Sequence, residues 1–193
     1  MVVATFYPGS TDDGTAEKES GAYAPTGTVG VTSTTATDDI VKRFANSLYT
    51  ERLAFDRWDT SSLTSDATVT SAKLTVRVTS IAGDDDGRNL VGKWYLFTGS
   101  LSSGDYADPP HDSDAYSKDI SSFTNGEDND ITLSDVAANI NTTGMTGIRH
   151  GVSGGSPSGT NGVAWASDNH ASLTSAGLVV TYTLPFAPRA IMF

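Results

Sequence analysis

At 193 residues the chain is long enough to bury one substantial core, and its formal net charge of −11 excludes phosphate-backbone binding, which needs clustered Lys and Arg. It has no cysteine, so a disulfide framework and a thiolate metal site are both excluded, and stability must come from apolar burial, backbone pairing or contacts between subunits. With 26 Thr, 23 Ser and 19 Gly, the composition disfavours helix and suits strand surfaces and turns.

Residues 2–7 form a short apolar run ended by Pro8-Gly9, which reads as an edge strand or an arm. The start of the chain lacks a basic segment followed by a sustained apolar one, and no stretch approaches the roughly 18 apolar residues of a spanning helix, so a soluble chain with no membrane partner is expected. Residues 10–39 are polar and turn-rich, with weak alternation around Val29 and Val31, and predict a long excursion or a hairpin. Residues 41–58 carry apolar side chains on both faces (Val41, Phe44, Leu48, Leu53, Phe55, Trp58), as a doubly covered or bulged strand would.

The clearest strand follows. Ala72, Leu74, Val76 and Val78 alternate strictly with Lys73, Thr75, Arg77 and Thr79, the period-2 pattern of a strand that covers a core on one face. Gly83-Asp84-Asp85-Asp86-Gly87 is a turn, residues 90–97 return as an aromatic-rich strand, and the pair predicts a hairpin. Asp108-Pro109-Pro110 breaks any ladder, so residues 100–113 read as a surface loop. Residues 129–133 form a short strand leading into one helix over 134–141, with Ser134 as its cap, Asp135 on its dipole, and Val136, Ala137 and Ile140 on one face. Residues 145–152 and 162–166 are further strands, and the last, 176–184, places Leu178, Val180, Tyr182 and Leu184 on one face.

These elements predict an all-β fold, a β-sandwich or jelly roll of about eight strands with one short helix, as a single domain over 1–184 in which 1–40 is an extended arm or excursion. Residues 185–193 (Pro185-Phe-Ala-Pro-Arg-Ala-Ile-Met-Phe193) form an apolar tail that cannot continue the sheet. An uncovered apolar tail is a liability on an acidic protein, which marks Phe186, Ile191, Met192 and Phe193, with Phe6 and Tyr7 at the other end, as candidate partner-docking residues. Between Asp105 and Asp135 nine carboxylates face one base, Lys118, and this third of the chain reads as a solvated surface.

Signals for chemistry are thin. His111, His150 and His170 lie in separate regions without metal-binding spacing. The acidic runs Asp84-Asp85-Asp86, Asp12-Asp13 and Glu127-Asp128 match calcium ligands in type, but none has the alternating loop with a distal Glu. A structural calcium ion at Asp84, Asp85 and Asp86 is the one cofactor considered, and otherwise none is expected. No G-x-S-x-G elbow, P-loop or dinucleotide fingerprint occurs, and carboxylate pairs among 23 acids have no specificity, so no catalytic residue is assigned and a non-enzyme is expected. Trp58, Trp94 and Trp165 sit within strands, where burial is their expected fate.

Trp58-Asp59-Thr60-Ser61-Ser62-Leu63 followed by Ala67-Thr-Val-Thr-Ser-Ala-Lys-Leu-Thr-Val-Arg-Val78 resembles the F-D-x-S-S-L…A-T-V-x-S-A-x-L-x-V signature of DNRLRE-type β-sandwich domains, with Trp58 where Phe is usual. Versions of that signature occur in structural proteins of tailed bacteriophages, which Thr5-Phe6-Tyr7-Pro8, the short-helix region 130–148 and the strand Leu178-Val-Val-Thr-Tyr182 also resemble. The resemblance implies a non-catalytic virion component: a capsid decoration or head-fibre subunit bound to the major capsid protein or another virion subunit. It would be a homo-oligomer such as a trimer, made in the bacterial host cytoplasm. The alternative is a tail or fibre adhesin that binds host-surface carbohydrate.

Overall fold

A computed structural model describes residues 1–25, 27–32, 35–83, 87–107 and 113–185. The chain is mostly strand, at 52% against 7% helix, and its strands form a curled antiparallel sheet with a sandwich-like core. The all-β expectation holds, but the described residues form twelve strands where about eight were expected.

The N-terminal strand β1 (Val2–Phe6) runs antiparallel to the last one, β12 (Gly177–Thr183), with Val2 opposite Tyr182 and Phe6 opposite Leu178. The polar stretch that follows resolves the expected hairpin: β2 (Asp13–Ser20) pairs with the short β3 (Gly30–Thr32), Ala16 opposite Val31. Residues 41–58, read as one strand, are two, β4 (Thr37–Ala45) and β5 (Leu48–Asp59), joined at Asn46-Ser47. Both turn residues have positive φ (52° and 62°), as a two-residue type I′ hairpin requires, and Asn-Ser lacks the glycine that normally announces one. The double coverage of β5 is as expected. Ala54 and Trp58 enter the main core, while Phe55 joins Ala16, Tyr95, Phe97 and Leu101 in a smaller cluster.

Strand β6 (Thr68–Ala82) buries Ala72, Leu74, Val76 and Val78, as its alternation demands. Its first part pairs with β12 and with β9 (Asp128–Thr132), and its last residues pair with β11 (Thr160–Ala166). Because one long strand serves both regions, the sheet curls over its own core. Outward-facing Thr75 donates to Asp130 at 2.7 Å, Lys73 pairs with the same carboxylate at 2.5 Å and Arg77 lies 3.5 Å from Asp128, so part of the acidic third is neutralised across strands.

The expected hairpin between β6 and the next strand does not form. The last residues of β6 run along β11, and β7 (Asn89–Trp94) instead pairs with β10 (Met145–Val152) and β8 (Asp114–Asp119). Residues 100–113, read as loop, include a one-turn helix α1 (Ser103–Ala107) whose Asp105 accepts from Tyr95 Oη at 2.7 Å. The predicted helix shrinks to α2 (Val136–Asn139), capped by Asp135 in the left-handed region rather than by Ser134. Ser134 sits in the bend after β9, where its N–H donates to the Ala115 carbonyl and its own carbonyl accepts from Trp94 Nε1. Val136 and Ile140 are buried but Ala137 is exposed. From edge to edge the strands run β1-β12-β6-β11-β4-β5-β10-β7-β8.

All three tryptophans are interior, at 0%, 2% and 0% exposure for Trp58, Trp94 and Trp165. Trp58 Nε1 donates to the Ala176 carbonyl at 2.9 Å, which gives the indole at this position a role that phenylalanine lacks.

Candidate functional site

Alternation along a strand sends neighbouring residues to opposite faces, and at two places it splits a pair of aspartates. In Asp12-Asp13 the first carboxylate is held by Arg57, whose Nε donates at 2.9 Å, and in Asp38-Asp39 the second is held by Arg52 at 2.6 Å. The other member of each pair, Asp13 at the start of β2 and Asp38 on β4, points inside without an arginine. Asp56 joins them from β5, where it lies in phase with Ala54 and Trp58 and directly opposite Asp13. The three carboxylates offer oxygens that all lie within 4.8 Å of one another, and their side chains are 1%, 1% and 0% exposed.

Few groups answer this charge. The backbone N–H of Asp168, in the turn after β11, donates to Asp13 Oδ2 at 2.7 Å. That turn is pinned by the Ser167 hydroxyl donating to the Thr35 carbonyl. His150 on β10 places Nε2 3.1 Å from Asp56 Oδ2 without hydrogen-bond geometry, the one basic side chain in contact with the three carboxylates among the described residues. The remaining oxygens, Asp13 Oδ1 and both oxygens of Asp38 and Asp56, are buried without a hydrogen bond. An unpaired buried carboxylate costs several kcal/mol in lost hydration. Burial above all, and then the charge of Asp56, pushes Asp13 up to about 8 and Asp38 well above the usual carboxylate range.

His150 is held from its far side. Its Nδ1 lies 2.7 Å from the Tyr116 hydroxyl, and the ring meets Trp165 edge to face at 5.0 Å. Gly92 on β7 makes the tyrosine contact reachable, because it lies between His150 on β10 and Tyr116 on β8 and a Cβ there would stand 2.2 Å from the tyrosine ring. Burial, and then Asp56, raises the Tyr116 hydroxyl well above its ordinary range, so it stays a neutral hydrogen-bonding group.

The residues singled out from sequence fall elsewhere. Phe6 is 9% exposed and packs in the core, whereas Tyr7 is 54% exposed. Phe186, Ile191, Met192, Phe193, the calcium candidates Asp84, Asp85 and Asp86, and His111 lie outside the described residues. His170 sits in a turn, where Nδ1 accepts from the N–H of Leu173 at 3.1 Å. Sequence reasoning noted Asp13 and His150 separately but missed Asp38 and Asp56. The available signal was an aspartate in the inward phase of an apolar strand, two residues before Ile40 and between Ala54 and Trp58.

The described surface has shallow grooves. Five grooves on it measure 160 to 240 Å³, below the roughly 300 Å³ at which small-molecule pockets begin, and none of the five is lined by the buried aspartates or His150. Compared with known proteins, the chain matches no family model and no curated protein.

Proposed function

We propose that this chain is a non-catalytic accessory subunit of a tailed-phage virion, a capsid decoration or head-fibre protein that coats or reinforces the shell. The observation that carries the reading is the convergence of both terminal segments on one sheet edge. Among the described residues β1 ends the strand order with no strand on its outer edge, and Val2 sits opposite Tyr182, just before Leu184 and Pro185. Val3 is 63% exposed, and Met1, Val2, Tyr7 and Leu184 are exposed as well. A free edge beside apolar side chains favours strand addition or apolar docking.

The sealing of the titratable cluster supports the non-catalytic part, because a reactant cannot reach side chains that are 0–1% exposed. The resemblance of residues 58–78 to DNRLRE-type phage domains supports the virion assignment, with the major capsid protein or another virion subunit as partner. Burial of all three tryptophans leaves only smaller exposed aromatics such as Tyr7 and Tyr23 for stacking on a sugar, which weighs against the carbohydrate-binding alternative. A contact of about 1,600 Å² per site, repeated over a shell, would add stability without chemistry.

The test is incorporation into particles. A chain lacking residues 185–193 should fold but lose occupancy on purified capsids, and full occupancy of the truncated chain would overturn the docking assignment.

A further inference from the structure

We infer that Asp13, Asp38 and Asp56 together bind one divalent cation, calcium, as an internal staple of the sandwich. Acidic clusters at protein surfaces are solvated and commonly hold no ion, but this one is interior. Five of its carboxylate oxygens have no hydrogen-bond donor, and the fully buried Nε2 of His150, also without a hydrogen bond, is aimed at Asp56.

The geometry suits one ion. Calcium–oxygen distances are about 2.4 Å, so two oxygens on opposite sides of the same ion stand about 4.8 Å apart. The donor atoms of all three aspartates lie no farther apart than that, so a single ion reaches all three. Three carboxylates offer up to six oxygens, which meets the calcium minimum of about six when all three bind through both. The donor set is oxygen only, which disfavours zinc, and its burial leaves little room for the water shell that magnesium keeps.

Charge points the same way. Three ionised carboxylates carry −3 and a divalent ion supplies +2, so one ion removes most of the buried charge. His150 is then a positioning residue for Asp56 rather than a ligand, held in turn by Tyr116. The ion ties β2, β4 and β5 together at a point where, among the described residues, no arginine is shown in contact. This role is independent of what the outer surface binds.

The experiment uses the full chain, unfolded in denaturant with a chelator and refolded into metal-free buffer at pH 7.5. Calcium chloride alone should then bind at one ion per chain by calorimetry. It should raise Tm by about 5–10 °C at a hundredfold excess over Kd, with magnesium, manganese and zinc giving much smaller shifts. Asp38→Asn should fold and lose the response, while Asp128→Asn, at an exposed acid, should keep it. If Asp38→Asn does not fold, Asp13→Asn takes its place, with the same loss expected. No calcium binding by the refolded wild-type chain, a calcium shift that persists in Asp38→Asn or its substitute, or a response to manganese or zinc alone would each overturn the assignment.

Discussion

Asp13 and Asp56 are direct cross-strand partners in the interior of the sheet, two carboxylates side by side on β2 and β5 with Asp38 of β4 completing the group. Like charges opposite one another destabilise a strand pair, and burial magnifies the effect. The interior of this sandwich is therefore built around a local repulsion that something must neutralise.

Protons can do so when cations are withheld, and the pH dependence then runs opposite to that of most acidic proteins. Asp13 keeps its proton up to about pH 8 in the folded chain, whereas the unfolded chain releases it near 3.8. Between those limits the unfolded state binds fewer protons, so unfolding free energy falls as pH rises. Asp38 shifts in the same direction, with Asp56, Asp13, Asp168 and Asp39 as its charged neighbours. In chelator, the urea midpoint should be higher at pH 5 than at pH 8, with a slope of up to about 1.4 kcal/mol per pH unit per group. Asp13→Asn should flatten it, and an unchanged slope in that variant would remove Asp13 as the cause.

Gly92 should be irreplaceable for steric reasons. An alanine Cβ would overlap the Tyr116 ring, 2.2 Å away in its present position, and push the hydroxyl off His150. Gly92→Ala is expected to cost about 1–3 kcal/mol, the usual range for forced overpacking. Tyr116→Phe, which removes only the hydroxyl, should cost about 1 kcal/mol. Chemical denaturation of the two variants checks the order.

Trp58 carries both volume and a hydrogen bond. Trp58→Ala should cost about 3–5 kcal/mol as a large core cavity. Trp58→Phe keeps most of the packing but leaves the buried Ala176 carbonyl without its donor, and is expected to cost about 1–3 kcal/mol. A Phe variant as stable as the parent would show that the hydrogen bond is dispensable.

The β4–β5 turn offers a gain instead. Ser47 holds φ at 62° with a side chain, where glycine carries no such penalty. Ser47→Gly should raise stability by about 0.5–1 kcal/mol, read as an increase in Tm, while Ser47→Val should lower it.

Legibility in the sequence followed the range of the interactions. The alternation of β6, the two-faced apolar load of β5 and the burial of Trp58, Trp94 and Trp165 are local consequences of strand periodicity, and each was readable from a few adjacent residues. The Asn46-Ser47 turn was hidden because its backbone is set by both strands it joins. The missing β6–β7 hairpin is a long-range matter: the end of β6 pairs with β11 and β7 pairs with β10 and β8, and no residue near the 83–87 turn records those partners. The candidate site was least legible of all. Asp12 and Asp13 are identical in chemistry, and only the phase of β2 against β5 sends one to Arg57 and the other inside.

By itself the sequence determined that this is an all-β protein with an apolar interior, because period-2 burial is written into consecutive side chains. Only the tertiary structure decided which strands are neighbours, and hence that Asp13, Asp38, Asp56 and His150 meet. Cross-strand register is set jointly by distant segments as they pair, so charge that looks like ordinary surface acid along the chain becomes a buried, concentrated centre once the sheet closes.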